Sequence, residues 1–231
     1  MTTTTRNGRH APAPRYRLAA AGVLLASLLV GGCSVLGSGT KETASILALD
    51  PRVAAAPAWP SVDWQLTLGQ PSSARFIDSL RIAVRPLPGE LQVYKGASWA
   101  KTPTDMMQDV LLRALEDSGR IQAVARQGAG INADSKLIVD MRRFEADYAG
   151  AATPSATIEF NAKLVHAVDQ DVVASRTFLH AEPSAGTDVA AVGDAFSRAL
   201  QRLGGEAAGW ILVTGDAHDR GLHPVKVRKA R

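Results

Sequence analysis

Cys33 is the only thiol in this chain of 231 residues. A lone thiol cannot close an internal disulfide, and no histidine or cysteine cluster surrounds it in the sequence to suggest a metal site. An isolated cysteine is commonly a small buried side chain without special chemistry. The residues before Cys33 decide between that interpretation and a chemically modified thiol.

The segment before Cys33 has the pattern of a secretory signal peptide. The first seventeen positions contain no acidic residue and four arginines: Arg6, Arg9, Arg15 and Arg17. Residues 18–30 carry no charge, and this run is shorter than the roughly 20 apolar residues that span a membrane. A basic start, a short apolar run and the small residues Gly31 and Gly32 predict a leader that is removed.

The four residues Val30-Gly31-Gly32-Cys33 resemble the bacterial lipobox at every position. That signal is an aliphatic residue, a small residue, Gly or Ala, and then Cys. The resemblance implies that the thiol of Cys33 receives a diacylglyceryl group and that cleavage falls between Gly32 and Cys33. Cys33 would then be the first residue of the mature protein and carry fatty acyl chains such as palmitate. We therefore predict that Cys33 is a membrane anchor.

Histidines are the next side chains that could act in catalysis or metal binding. The five are His10, His166, His180, His218 and His223. The first lies in the leader and the last two lie near the C-terminus. His166 and His180 flank a predicted hairpin, whose turn pairs His166 with Ala174 or Ser175. His180 then lies several residues farther along the ladder, too far away to share a metal ion with His166.

The acidic residues favour structural roles over acid–base catalysis. Asp169 and Asp171 lie in the predicted turn, where aspartate is a common turn former. Three further carboxylates lie on one predicted strand and are typical of a solvated edge: Asp140, Glu145 and Asp147. Residues 128–133 superficially resemble a dinucleotide-binding loop, but such a loop opens a helix and a strand pattern follows here. We expect no catalytic residue, metal or cofactor.

The charge balance excludes a basic nucleic-acid-binding surface. The chain has 26 Lys and Arg against 22 Asp and Glu. Removing residues 1–32 removes four arginines and no acid, so the mature chain is formally neutral. Within this neutral chain the C-terminal tail is basic and residues 42–214 carry more acidic than basic side chains, so no nucleic-acid partner is expected.

Composition divides the chain into four parts. A signal peptide over 1–32 is followed by a predicted flexible tether over 33–60, which is rich in small and polar residues. Residues 61–214 are long enough for one domain with its own core. Residues 215–231 are predicted to be a basic, disordered tail.

Within 61–214 the apolar periodicity predicts an α+β fold, with two long helices packed on a mostly antiparallel sheet of about six strands. The strand patterns cover 62–68, 80–87, 120–126, 135–148, 156–168 and 172–181. The first helix begins with Thr102 as the N-cap and Pro103, and it ends at Gly119. The second begins at Asp188 and is expected to weaken at Gly204-Gly205.

Tyr94 and Trp99 lie in a predicted loop before the first helix. Aromatic residues there either cover the core or contact a partner. The sequence leaves both alternatives open.

The order of these motifs resembles the ABC-type transport auxiliary lipoproteins, a family that includes the lipoprotein of the paraquat-inducible MCE system. The matching features span roughly residues 62–213: Val84, Pro86, Tyr94, Trp99, Pro103, the helix to Gly119, Phe144-Glu145, the long hairpin and the final helix closing with Trp210. The resemblance implies partnership with an MCE-domain protein and an ABC permease and ATPase that move lipids across the periplasm.

The resemblance further implies a lipid-anchored, non-catalytic accessory component at the periplasmic face of the outer membrane. Ser34 directly after Cys33, instead of Asp, favours outer-membrane sorting under the usual rule for this signal. Exposed sheet edges offer a route to a homo-oligomeric ring. The alternative is a structural envelope lipoprotein that assists outer-membrane biogenesis without an ABC partner.

Replacing Cys33 with alanine tests the anchor. Acyl chains add about 0.8 kcal/mol of membrane affinity per buried CH₂, and stable anchoring takes more than one chain. The natural protein should therefore stay in the membrane fraction through a high-salt wash, whereas Cys33→Ala should be soluble or unprocessed. A Cys33→Ala protein that is still cleaved before residue 33 and firmly membrane-bound would contradict the prediction.

Overall fold

The computed structural model describes residues 2–3 and 44–222. Residues 44–222 belong to one compact unit and form nine strands and two helices. The strands are β1 (Ser45–Leu47), β2 (Val62–Leu68), β3 (Ser72–Ser73), β4 (Arg81–Arg85), β5 (Gln92–Trp99), β6 (Ile121–Arg126), β7 (Ser135–Asp147), β8 (Ser155–His166) and β9 (Val172–Pro183). The helices are α1 (Pro103–Ser118) and α2 (Val189–Leu222).

The sheet is built on β7, which has 13 residues. One edge of β7 pairs antiparallel with β8 over the whole strand, from Ser135 opposite His166 to Asp147 opposite Ser155. Its other edge pairs in succession with β2, β3 and β4, all parallel to it. The strand β9 extends the sheet beyond β8, β6 extends it beyond β2, and β5 and β1 extend it beyond β4.

The predicted α+β class and two helices are confirmed, but the prediction of about six mostly antiparallel strands is wrong. All six predicted strands form, and β1, β3 and β5 raise the number in the described sheet to nine. Five of the eight pairings are parallel. The missed strands carry little alternation to detect: β1 and β3 have three and two residues, and β5 contains Gly96 at φ 64°.

In the β8–β9 hairpin the alternation of apolar residues predicts burial correctly within β8 but not in the turn that follows it. Alternate residues from Ala156 to Leu164 are buried as predicted, whereas Val168 lies exposed in the turn beyond the strand end. A bulge shifts the register so that Leu164 faces Ala174 while Val165 faces Val172. The predicted pairing of His166 with Ala174 or Ser175 is therefore wrong, because those residues face Leu164 and Lys163 instead.

Helix α1 begins and ends where its capping residues predict. The side chain of Thr102 accepts a hydrogen bond from the backbone N–H of Asp105, and Pro103 occupies the first helical position. Gly119 takes the left-handed conformation at φ 61°, and its N–H donates to the carbonyl of Glu116. The buried side of α1 packs on α2 and β6.

Helix α2 runs unbroken through the predicted weak point at Gly204-Gly205. Its glycines instead mark close approaches to neighbouring elements. A Cβ at Gly204 would overlap Cγ1 of Val110 in α1, and a Cβ at Gly215 would overlap the ring of Trp64 in β2. At these positions glycine is needed for space, and the packing gained offsets its low helix propensity.

The domain is longer at both ends than the sequence predicts. Part of the predicted tether over 33–60 is folded, because β1 pairs with β5 and the side chain of Trp59 is buried against α2. At the other end α2 continues to Leu222, eight residues beyond the predicted boundary at 214. The first segment is rich in small and polar residues and the second in charged residues. Neither therefore shows an apolar periodicity that would assign it to the domain.

Alanine substitutions at adjacent glycines of α2 test the close approach. Gly204→Ala should lower the free energy of unfolding by about 1–3 kcal/mol, because the new methyl group overpacks against the rigid, buried side chain of Val110. Gly205→Ala is the matched control. Its Cβ would lie 3.4 Å from Val53, so it should raise stability by about 0.5–1 kcal/mol through helix propensity alone. Equal effects in thermal unfolding would contradict this helix contact.

Candidate functional site

The predicted cleavage site and anchor, Gly32 and Cys33, lie outside the described residues. Lipidation of Cys33 therefore stays a prediction. The described domain begins close behind the anchor in sequence, with β1 at Ser45. None of the helices within residues 44–222 is both long and apolar enough to cross a bilayer.

Trp99 belongs to the core, which excludes it as a contact for a partner of the folded domain. Its side chain is 1% exposed. The ring packs edge-on against Phe144 and Phe196, with centroid separations of 5.7 and 5.0 Å. Trp99 is the last residue of β5, and its contact with Phe196 places its ring on the face of the sheet that α2 covers. Of the two alternatives that the sequence left open for Trp99, the structure selects core packing.

Tyr94 is only partly buried and ties the sheet to the start of α2. Its hydroxyl donates a hydrogen bond to the carbonyl oxygen of Thr187 at 3.3 Å. Burial of its hydroxyl raises the pKa of Tyr94 above its ordinary value. The part of the ring that remains accessible keeps partner contact open for Tyr94, as a proposal.

The predicted turn residues do form a turn around Asp169. One oxygen of Asp169, Oδ1, accepts from the backbone N–H of Asp171 at 3.0 Å and lies 2.9 Å from Nδ1 of His166. The hydrogen bond from Asp171, followed by that from His166, lowers the pKa of Asp169. Asp169 therefore organises the turn and holds the imidazole of His166.

His180 lies in a separate network on β9. Its Nε2 lies 3.0 Å from Glu182, which also accepts from Nε of Arg198 at 2.8 Å. The arginine hydrogen bond is the main cause that lowers the pKa of Glu182. His180 faces Ile158, eight positions along β8 from His166. At about 3.3 Å per residue that spacing is far too long for the two imidazoles to share a metal.

The structure brings His218 of α2 beside His166, a neighbour that the sequence did not predict. The ring centroids lie 5.3 Å apart. Together with Trp64, Asp134 and Ser135 these histidines line a small cavity of about 30 Å³. His218 falls within the predicted tail over 215–231. It lies beside His166 because α2 extends past residue 214.

This cavity is the nearest approach to a catalytic arrangement in the described part of the chain. Ser135 pairs with His166 across the β7–β8 ladder, and Oδ1 of Asp169 lies 2.9 Å from Nδ1 of the same imidazole. An activated nucleophile needs a hydrogen bond of about 2.6–3.2 Å to its base. None of the hydrogen bonds among residues 44–222 joins the Ser135 hydroxyl to His166. The same residues also contain no group of three side chains placed to hold a metal ion.

Glu145 is buried and ion-paired, so the expectation of a solvated acidic edge is wrong at this position. Its side chain is 1% exposed. Arg85 of β4 donates to both carboxylate oxygens, at 2.8 and 2.9 Å, and Arg143 donates to one of them at 2.7 Å. These hydrogen bonds to Glu145 raise the pKa of Arg85. The bidentate pair links β4 to β7 on the face of the sheet opposite the helices.

That opposite face, here called the outer face, also carries an open groove of about 360 Å³. Its lining residues are Arg75, Phe76, Ser79, Arg81 and Val93. The segment between β3 and β4 forms one wall, while β4 and β5 supply the other. We call this feature the outer-face groove. Its apolar and basic side chains gave no periodic signal in the sequence, because Arg75, Phe76 and Ser79 lie outside regular strands.

A free strand edge is the second surface feature. Within residues 44–222 the 12-residue strand β9 pairs with β8 alone, on one of its two edges. Its unpaired backbone groups can accept another strand, and Leu179 and Val172 are exposed along it. The described domain is thus a mixed α+β domain that offers a groove and a free strand edge for contact with other molecules.

Comparison with known families identifies the chain more closely. The sequence model of the ABC-type transport auxiliary lipoprotein component matches residues 46–208. The chain belongs to this family, which confirms the resemblance found in the sequence. The comparison with curated proteins found no match.

Solved structures share the fold. Protein XCC0632 from Xanthomonas campestris is 57% identical in sequence, with a TM-score of 0.75 over 77% of this chain and 99% of that chain. The crystal structure of an uncharacterised protein is 13% identical, with a TM-score of 0.54 over 70% of this chain and 99% of that chain. The second likeness shows only that the fold recurs in distant sequences.

Replacing Trp99 distinguishes core packing from partner contact. Trp99→Ala should lower the free energy of unfolding by about 3–5 kcal/mol, the usual cost of removing a large buried aromatic side chain. Tyr94→Phe removes one hydrogen bond and should cost about 0.5–1.5 kcal/mol. Urea unfolding of both variants measures the difference. A Trp99→Ala protein of natural stability would contradict the core assignment.

Proposed function

We propose that this protein is a lipid-anchored, non-catalytic accessory component of an MCE-type ABC lipid transport system, which docks the transport assembly at the periplasmic face of the outer membrane. The observation that carries the proposal is the family match over residues 46–208, close behind the predicted anchor at Cys33. Membership of a transport auxiliary lipoprotein family supports a complex of ABC permease and ATPase as a partner. In this proposal an MCE-domain protein lies between that complex and the lipoprotein, which receives the distal end of the MCE assembly.

The surfaces of the domain suit a docking role. Backbone groups along the free edge of β9 can pair with a strand of a partner or of a second copy in a ring. The predicted anchor would hold the domain at one membrane, and a neutral mature chain imposes no strong electrostatic barrier to protein partners. Ser34 after Cys33 supports the outer membrane as that location.

Co-purification and complementation test this function together. The tagged lipoprotein should co-purify with the MCE-domain protein, permease and ATPase, and its deletion should impair envelope lipid transport. Keeping the anchor while deleting residues 61–214 should abolish complementation. Single replacements of His166, His180, Asp169 or Asp171 that preserve folding should leave complementation nearly intact, because docking depends on surfaces instead of one ionisable group.

A lipid hydrolase assay provides the opposing outcome. The purified full-length protein should not turn over a lipid ester. Turnover that disappears in Ser135→Ala and in His166→Ala, but persists in Ser175→Ala, would overturn the non-catalytic proposal. Failure to recover any ABC or MCE partner, with normal membrane attachment, would instead favour a structural envelope lipoprotein.

A further inference from the structure

One row of the strand register crosses the outer face at the edge where the described domain begins. Ile46 of β1 pairs with Ser98 of β5, and Ser98 pairs with Arg81 of β4. Strands lie about 4.8 Å apart, so Arg81 is only about 10 Å from Ile46 along this row. Arg81 lines the outer-face groove. The groove therefore lies close to the N-terminal end of the domain.

Apolar side chains are partly exposed in this groove and at the nearby sheet edge. Ile46 is 68% exposed, while Phe76 and Val93 are 41% and 40% exposed. Phe76 and Val93 line the groove together, and Val93 faces Ala83 on the outer face. Two partly exposed apolar side chains that share one open groove offer an apolar surface for contact with another molecule.

The positive charges beside the groove are not neutralised within the described domain. Arg75 and Arg81 are exposed, and neither has a carboxylate within 4.0 Å among residues 44–222. By contrast, Arg85 and Arg143 on the same face share the carboxylate of Glu145. The groove combines partly exposed apolar side chains with two guanidinium groups that have no carboxylate partner in the described domain. It therefore complements a surface whose outer layer carries anionic groups and whose interior is apolar.

The number of residues between the predicted lipid anchor and β1 indicates which anionic surface lies within reach of the groove. Residues 34–44 number eleven between the predicted lipid anchor and β1. Even when fully extended, eleven residues span at most about 40 Å. The chain thus enters the domain at the sheet edge that carries Ile46. Arg81 of the groove lies two strands from that edge.

We infer that the outer-face groove is a docking site for the anionic bilayer surface into which the anchor is inserted. Phe76 and Val93 would enter the interfacial region of the lipid, and Arg75 and Arg81 would pair with lipid phosphates. Docking would fix the orientation of the domain, leaving the free edge of β9 available to protein partners. This inference rests on the lipid anchor of the proposed function, but not on the identity of the transport partners.

Site-specific fluorescence in membrane-bound protein tests the inference. The single natural cysteine is predicted to be blocked by lipid, so a cysteine introduced by Phe76→Cys can be labelled alone with an environment-sensitive nitrobenzoxadiazole probe. Val93→Cys provides a second position in the groove, and Val213→Cys on α2 provides an exposed control. The labelled full-length lipoprotein is reconstituted into vesicles of phosphatidylcholine, alone or in a two-to-one mixture with phosphatidylglycerol.

In the anionic vesicles the probes at positions 76 and 93 should shift to the blue and be quenched by nitroxide-labelled lipid, while the probe at 213 should do neither. The double variant Arg75→Glu/Arg81→Glu should lose both signals, whereas Lys163→Glu should retain them. High salt should weaken the signals, because an exposed arginine–phosphate attraction is screened.

Each other outcome overturns the inference. A groove probe that behaves like position 213 in anionic vesicles shows that the groove does not meet the bilayer. A blue shift in vesicles that nitroxide-labelled lipid does not quench shows a protein occupant: a second copy if the shift depends on the protein-to-lipid ratio, and a segment of the same chain if it does not. Vesicle flotation and the intact mass distinguish these results from failure of the anchor, which would leave the protein unbound with every probe.

Discussion

The whole sheet follows from the need to satisfy the backbone of β7 on both of its edges. A buried N–H or C=O without a partner is costly, so a strand of 13 residues inside a domain needs pairing over its full length. The hairpin partner β8 supplies one edge. The other edge is completed by β2, β3 and β4 in succession, which run parallel to β7 at three different heights.

A bulge between Met141 and Arg143 changes which residues of β7 face the helices. Met141 lies on the inner face before it, and Phe144 and Ala146 lie there after it. Glu145 is consequently directed to the outer face, where Arg85 of β4 reaches its carboxylate. The bulge thus fixes both the aromatic core around Trp99 and the ion pair that links β4 to β7.

The two faces of the sheet have different consequences for function. On the inner face, α1 and α2 approach so closely that Gly204 must lack a side chain. On the outer face no helix of the described residues packs over β4 and β5, and the groove beside Arg81 stays open. Surfaces for contact therefore remain on the outer face and along the free edge of β9, while the inner face is committed to stability.

The sequence by itself determined those features whose physical cause is local. Helix α1 was predictable because Thr102, Pro103 and Gly119 act within a few residues of themselves, and β2 and β8 because their alternation directly reflects a two-sided environment. The family could be recognised for the same reason, since its motifs are short and follow in a fixed order along the chain.

Tertiary structure alone decided every feature that depends on residues distant in sequence. Parallel pairing with β7 leaves no mark within β2 or β4, and the two-residue strand β3 is too short to alternate. In the sequence Gly204 predicts a weak point in the helix, and only the position of Val110 shows that glycine is needed there for space. His218 lies beside His166 only because α2 extends past residue 214. The groove could not be predicted for the same reason. Arg75, Arg81 and Val93 come from separate segments, and they meet only when the chain between β3 and β4 lies beside the paired strands β4 and β5.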